Sequence, residues 1–206
     1  VTTPDRPKGR GLHVLPNPVK RFCEEGKIKT FSPKSLRETG VQEAVAGLGP
    51  EMFVVASYGK LIPESWLKIP KVASWNVHPS LLPKYRGAAP IAWQIVEGEP
   101  ETGVTIFHVT KELDAGDIVH QVRIPLGERE TTESLTRLLA ELSRKALQEA
   151  FAKFEQGTLR AVPQNPSQAT YARKLAKEDG HLKLSEEAAT LERKIRAFHP
   201  WPGAFI

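Results

Sequence analysis

Apolar residues recur along this chain with two different periods. Short runs of β-branched and aromatic residues, bounded by Gly, Pro and Ser, predict strands at 28–31, 52–57, 73–78, 104–109 and 118–124. Between them apolar positions return every three or four residues, which predicts helices over 19–25, 35–48, 63–67 and from Ala89 to near Gly98. The strongest pattern runs over 133–156, where Leu135, Leu138, Leu139, Leu142, Ala146, Leu147, Ala150, Phe151 and Phe154 share one helical face. Thr132 can cap its start and Gly157 can end it, so this stripe reads as core. Strands alternating with helices predict the α/β class, a mostly parallel sheet flanked by helices.

The pattern breaks after Gly157. Residues 158–172 hold Pro163, Asn165, Pro166 and Ser167 without periodicity and read as a linker. A short strand at 181–184 and a helix at 186–198 then begin something too small to close its own core. The expected organisation is a domain over 1–157, a linker over 158–172 and the beginning of a second domain over 173–206. The Pro- and Gly-rich stretch Pro4–Pro18 is an unusual opening for an α/β sheet. The start at Val1 and the unfinished second domain lead us to expect a fragment.

Composition narrows the class. With 206 residues, 40% of them apolar and 26% charged, the chain has material for a core and is neither disordered nor fibrous. The longest apolar run, Met52–Ala56, is far short of the roughly 20 residues of a membrane span, so no membrane partner is expected. A single cysteine, Cys23, offers no internal disulfide and fits a reducing compartment, and no cleavable leader pattern opens the chain. The formal charge of +5 is concentrated in residues 1–21, where Arg6, Lys8, Arg10, Lys20 and Arg21 face Asp5 alone. Such a segment could meet phosphates or could be an ordinary solvated loop.

Candidate chemistry gathers at Trp75-Asn76-Val77-His78-Pro79. On a strand Asn76 and His78 project to one face, and Pro79 puts them at the carboxyl end, where open α/β sheets bind ligands. An amide donor beside an imidazole can stabilise an oxyanion and exchange a proton; equally, Asn76 could satisfy a turn and His78 could be an ordinary half-buried histidine. Asp114, in Leu113-Asp114-Ala115-Gly116-Asp117, could orient that imidazole or could be a turn residue. The six histidines lack metal-ligand spacing, so no metal is expected; Gly-x-Gly-x-x-Gly in its strand-to-helix context, a phosphate loop and a nucleophile elbow at Ser80 are all missing. These exclusions favour direct transfer without a covalent intermediate.

The run Asn76-Val77-His78-Pro79-Ser80-Leu81-Leu82-Pro83-Lys84-Tyr85-Arg86-Gly87-Ala88-Ala89-Pro90 resembles the signature of the folate-dependent formyltransferases. The resemblance implies that family's Rossmann-like fold and a catalytic triad of Asn76, His78 and Asp114, with 10-formyltetrahydrofolate as cosubstrate. It further implies folate contacts by Ser80, Leu81, Leu82 and Pro83, and by Gly59, Leu61 and Ile62. The stretches 169–179 and 195–204 and the opening 4–20 are similar to the branch that acts on initiator methionyl-tRNA, which implies tRNA contacts by Arg10, Lys8 and Arg6. Members of that branch begin with a strand-helix-strand unit and end with a small β-barrel; by this comparison the first is missing and only the start of the barrel is present. A cytoplasmic protein, or an organellar-matrix one in a eukaryote, acting as a monomer is expected. Other readings are a formyltetrahydrofolate hydrolase, another formyltransferase of the family, and a silent folate-binding domain.

Overall fold

The structure, a computed structural model, describes residues 1–8 and 13–206. The chain divides into two compact units, Val1–Ser74 and Trp75–Ile206.

In the first unit the basic opening pairs as an antiparallel ribbon of β1 (Arg6–Lys8) and β2 (His13–Leu15), with Arg6 opposite Leu15. Helix α1 (Pro18–Glu25) starts where Asn17 accepts the Lys20 N–H at 2.9 Å, and Pro18 has no amide to leave unpaired. Helix α2 (Thr39–Ala46), strand β3 (Met52–Ala56) and the short helix α3 (Glu64–Leu67) follow. Leu36, Val45 and Trp66 form the core, with Phe31, Val41, Phe53, Tyr58, Ile62 and Ile69 packed against them. The indole N–H of Trp66 donates to the Leu36 carbonyl at 2.6 Å. The strand expected at 28–31 is not formed: the Ile28 N–H is taken by the Cys23 carbonyl at the end of α1, and the Ile28 side chain faces solvent. The helix expected from 35 begins only at Thr39, because the Glu38 carboxylate takes the Ser35 N–H at 2.8 Å and holds a turn there.

The division falls within β4 (Ala73–His78), and the second unit continues through β5 (Arg86–Gly87), α4 (Pro90–Glu97), β6 (Glu101–His108), β7 (Ile118–Pro125), α5 (Thr132–Glu155), β8 (Tyr171–Ala172) and α6 (Ala188–Ala197). The α/β class expected from the pattern is what the structure has. Its central ladders, β4 with β6 and β6 with β7, run antiparallel; His78 lies opposite Thr105, and Gly103 opposite Arg123. A short loop joins β6 to β7, and a connection of that length can return the chain only as a hairpin. Strands β5 and β8 pair in parallel, Gly87 opposite Ala172.

Helix α5 covers one face of this sheet. Leu135, Leu139, Ala146 and Ala150 are fully buried, and Trp75 packs between Phe151 and Phe154 at centroid distances of 5.3 and 6.0 Å. Thr131, one residue before the expected cap, accepts the Ser134 N–H at 3.1 Å. Helix α6 lies on α4, with Phe198 edge-on to Trp93 and the Arg193 guanidinium donating to the Val96 carbonyl. The strand expected at 181–184 is reduced to one bridge, His181 with Phe205, and Leu184 is exposed. No helix among the described residues is long and apolar enough to cross a membrane.

Leu139→Ala removes buried methyl groups that α5 cannot replace by sliding. Its unfolding free energy in urea should fall by about 2–5 kcal/mol, with the denaturant slope unchanged.

Candidate active site

Strand β4 sorts its side chains by face. Trp75 goes to α5, while Asn76 and His78 share the opposite face; the His78 ring stands edge-on to Phe107, 6.3 Å away. His78 is 4% exposed. The Asn76 side chain is half-buried and makes no hydrogen bond with any described residue. Past the strand end, Gln94 of α4 donates to the Pro79 carbonyl at 2.9 Å and accepts the Thr102 hydroxyl at 2.8 Å.

The loop 80–85 is bolted to the sheet by one hydroxyl. Thr105 Oγ1 donates to the Ser80 carbonyl at 2.6 Å and accepts the Leu82 N–H at 3.1 Å and the Gln121 amide at 2.9 Å, which uses its full bonding capacity. So anchored, the loop brings Tyr85, at φ 62°, beneath His78, and the Tyr85 carbonyl accepts the Nε2–H of His78 at 2.8 Å. A carbonyl can only accept, so in the neutral ring the proton sits on Nε2 and Nδ1 carries the lone pair.

Nδ1 faces Asp114 Oδ2 at 3.7 Å. Asp114 occupies the loop between β6 and β7 at φ 49°, and the same oxygen accepts the Gly87 N–H at 2.8 Å. Gly116, two residues on, permits this turn: a Cβ there would lie 1.8 Å from the His108 carbonyl oxygen. Burial pushes the His78 pKa below its ordinary value, and the Asp114 charge and the Tyr85 carbonyl oppose this without overcoming it. Asp114 thus favours the charged ring, as a nearby carboxylate must, but desolvation outweighs it and the ring is neutral near pH 7.

The other expected site residues differ in their placement. Ser80 and Leu82 are buried, the Ser80 hydroxyl bonded to the Lys84 carbonyl at 2.7 Å, so their side chains shape the loop. Leu81 and Pro83 are half-buried and, with Leu82, Lys84, Tyr85, Gln94 and Gln168, line a groove of about 390 Å³. Gly59 (φ 71°), Leu61 and Ile62 lie in the first unit; Leu61 is 78% exposed, while Ile62 packs on that unit's core. Arg6 and Lys8 belong to β1, and Arg10 lies outside the described residues. Among the described residues no cluster of His, Cys, Asp and Glu could hold a metal.

Sequence reasoning missed Thr105, Gln121, Arg86, Gln164 and Thr170. The segment expected to be a linker is bound into this centre: Val162 bridges Ile118, Gln164 bonds Arg86 and the Asp114 carbonyl, and the Thr170 hydroxyl accepts the Tyr85 N–H at 2.9 Å. Residues 158–172 carry no periodicity that could have announced this.

An amide and an imidazole on one face of a strand end, with a carboxylate beside the imidazole, form an arrangement of the kind that can serve acyl-type transfer with proton movement. The formyl transferase family model matches residues 1–151, and the model of the formyl transferase C-terminal domain matches 174–206; the chain belongs to the formyl transferase family. Among its relatives, a methionyl-tRNA formyltransferase of Marinobacter nauticus is 43% identical over 99% of this chain and 66% of its own length. That of Thermotoga neapolitana is 43% identical over 99% of this chain and 65% of its own length. This chain therefore spans about two thirds of the length of these relatives, just under that mark. Among solved structures, HypX of Aquifex aeolicus in complex with tetrahydrofolic acid superposes with a TM-score of 0.68 at 26% identity, covering 79% of this chain and 28% of that one. A 4-N formyltransferase of Francisella tularensis, at 18% identity, shares the fold with a TM-score of 0.73 over 90% of this chain and 76% of its own.

Because His78 is held neutral when folded and takes up a proton more readily when unfolded, it favours the folded state fully above pH about 6.5. That contribution is lost as the pH falls from there toward the lowered folded value, by at most about 1.4 kcal/mol per pH unit. Urea titrations between pH 7.5 and 5.5 should show a smaller loss of stability in His78→Gln than in the unaltered chain.

Proposed function

We propose that this chain carries the transfer centre of an enzyme that moves a formyl group from 10-formyltetrahydrofolate to the α-amino group of methionine on initiator tRNA. The observation that carries the reading is the commitment of His78 Nε2–H to the Tyr85 carbonyl, which leaves a Nδ1 lone pair beside Asp114. The full-length relatives named methionyl-tRNA formyltransferase supply the acceptor.

The cosubstrate brings the formyl carbon; the chain's own residues do the rest. The neutral His78 accepts at Nδ1 the proton that the attacking amine sheds, and Asp114 stabilises the imidazolium so formed. With Nε2–H occupied, the unpartnered Asn76 amide is the donor for the oxyanion. As the oxyanion returns to a carbonyl, the bond between the formyl carbon and the folate nitrogen breaks and the proton passes from Nδ1 to that nitrogen. Leu81 and Pro83 would touch the folate directly, with Ser80 and Leu82 setting their loop, and Gly59, Leu61 and Ile62 would wall the pterin. Arg6, Lys8 and Arg10 would meet the acceptor end of the tRNA. In this reading residues 1–157 form the transfer domain, 173–206 begin a tRNA-holding barrel, and the enzyme works as a cytoplasmic monomer.

His78→Ala and Asp114→Asn should each lower the rate of formyl transfer by about 100-fold to 10,000-fold while tRNA binding stays intact. Formate release without tRNA would instead mark a hydrolase, and near-normal turnover in either variant would sink the assignment.

Arg10→Ala should raise KM for the charged tRNA and flatten its dependence on salt, since one phosphate contact and its counterion release are lost. Initial rates across a salt series, each substrate varied in turn, check this; unchanged tRNA kinetics would remove the loop from recognition.

A further inference from the structure

The segment between α5 and β8 holds a buried side chain that touches both sides of the catalytic turn. Gln164 is 9% exposed. Its Oε1 accepts two hydrogen bonds from the Arg86 guanidinium, from Nε at 3.1 Å and Nη2 at 2.7 Å. Its Nε2 donates to the carbonyls of Asp114 at 2.9 Å and Gly116 at 2.8 Å. We infer that Gln164 is a positioning residue for Asp114, its amide tying the left-handed turn at 114–116 to Arg86 and so setting the carboxylate 3.7 Å from His78.

The amide has only one workable orientation. Arg86 offers donors alone, and the two turn carbonyls accept alone, so reversing the amide would break all of these contacts. Arg86 is 6% exposed and forms no ion pair with a carboxylate among the described residues, so the Gln164 oxygen is what meets its buried charge. The turn itself needs holding. Asp114 sits at φ 49°, a conformation that a residue with a Cβ keeps only when its surroundings impose it. Gln164 takes the carbonyls of Asp114 and Gly116, and the Gly87 N–H takes the carboxylate.

The same segment reaches the other half of the pair. Thr170 accepts the Tyr85 N–H through its hydroxyl and the Arg86 N–H through its carbonyl, and Ala172 lies against Gly87 so closely that a Cβ there would stand 2.7 Å from its carbonyl oxygen. The Tyr85 carbonyl in turn holds His78. Residues 164–172 thus fix the imidazole through Tyr85 and the carboxylate through Gln164.

Backbone exchange in the 206-residue chain tests this without relying on turnover. Gln164→Met keeps the volume and removes every bond, while Gln164→Glu keeps an oxygen for Arg86 and removes the donor to the turn. In both, the Gly87 amide, which donates to Asp114, should exchange roughly tenfold faster, approaching its rate in Asp114→Ala. The neighbouring Arg86 and Ala88 amides, which donate to the carbonyls of Thr170 and Ala172, should stay within about twofold and serve as internal controls. Because the inference rests on the transfer reading for its kinetic consequence, kcat for formyl transfer should fall roughly tenfold with KM for 10-formyltetrahydrofolate held within about twofold. An unchanged Gly87 rate, equal acceleration of all three amides, or failure of Gln164→Glu to fold would overturn the positioning role. If the unaltered chain transfers no formyl group, the proposed function fails while the exchange result still judges Gln164.

Discussion

The hydrogen bond from His78 Nε2 to the Tyr85 carbonyl is the constraint on which the site depends. A buried imidazole must place its N–H on an acceptor, because an unmade bond at that depth leaves the full desolvation penalty uncompensated. A carbonyl as that acceptor assigns the tautomer and turns the basic nitrogen toward Asp114. It also requires Tyr85 to stand at positive φ at the end of a loop that cannot shift. Thr105, Gln121 and Thr170 supply that rigidity from three separate parts of the second unit.

Burial and charge oppose each other at His78. Among the described residues one carboxylate, that of Asp114, lies near His78, and burial outweighs its charge, so the imidazole is held below its ordinary pKa. The same carboxylate becomes a partner once a proton arrives. Its oxygen already accepts the Gly87 N–H at 2.8 Å. A carboxylate already bonded to backbone in the resting state needs little reorganisation when charge develops beside it.

Two buried glutamines of the second unit each join a donor to an acceptor. Gln94 joins the Pro79 carbonyl to Thr102, and Gln164 joins Arg86 to the Asp114 turn. Both are neutral amides, which can donate on one side and accept on the other without adding a charge to the interior. They hold the two loops that frame His78, one after β4 and one after β6.

Local chemistry was readable from the chain wherever a short segment decides it. The spacing of Asn76 and His78 puts them on one face of β4, the stripe that begins at Leu135 marks the buried face of α5 through Leu135, Leu139, Ala146 and Ala150 while its members Leu138 and Phe154 are exposed, and Asp-Ala-Gly-Asp fits the turn at 114. These follow from the period of a strand, the period of a helix and the conformational freedom of glycine, none of which needs a distant partner. Only the tertiary structure decided that the residues from 28 to 31 form no strand, that the ladders around β6 run antiparallel, and that His78 rests neutral. It alone decided, too, that an aperiodic stretch is bound to the turn at 114–116. Strand pairing, desolvation and the partners of Gln164 depend on residues far apart in sequence, and a chain read along its length carries no signal for what folding brings alongside.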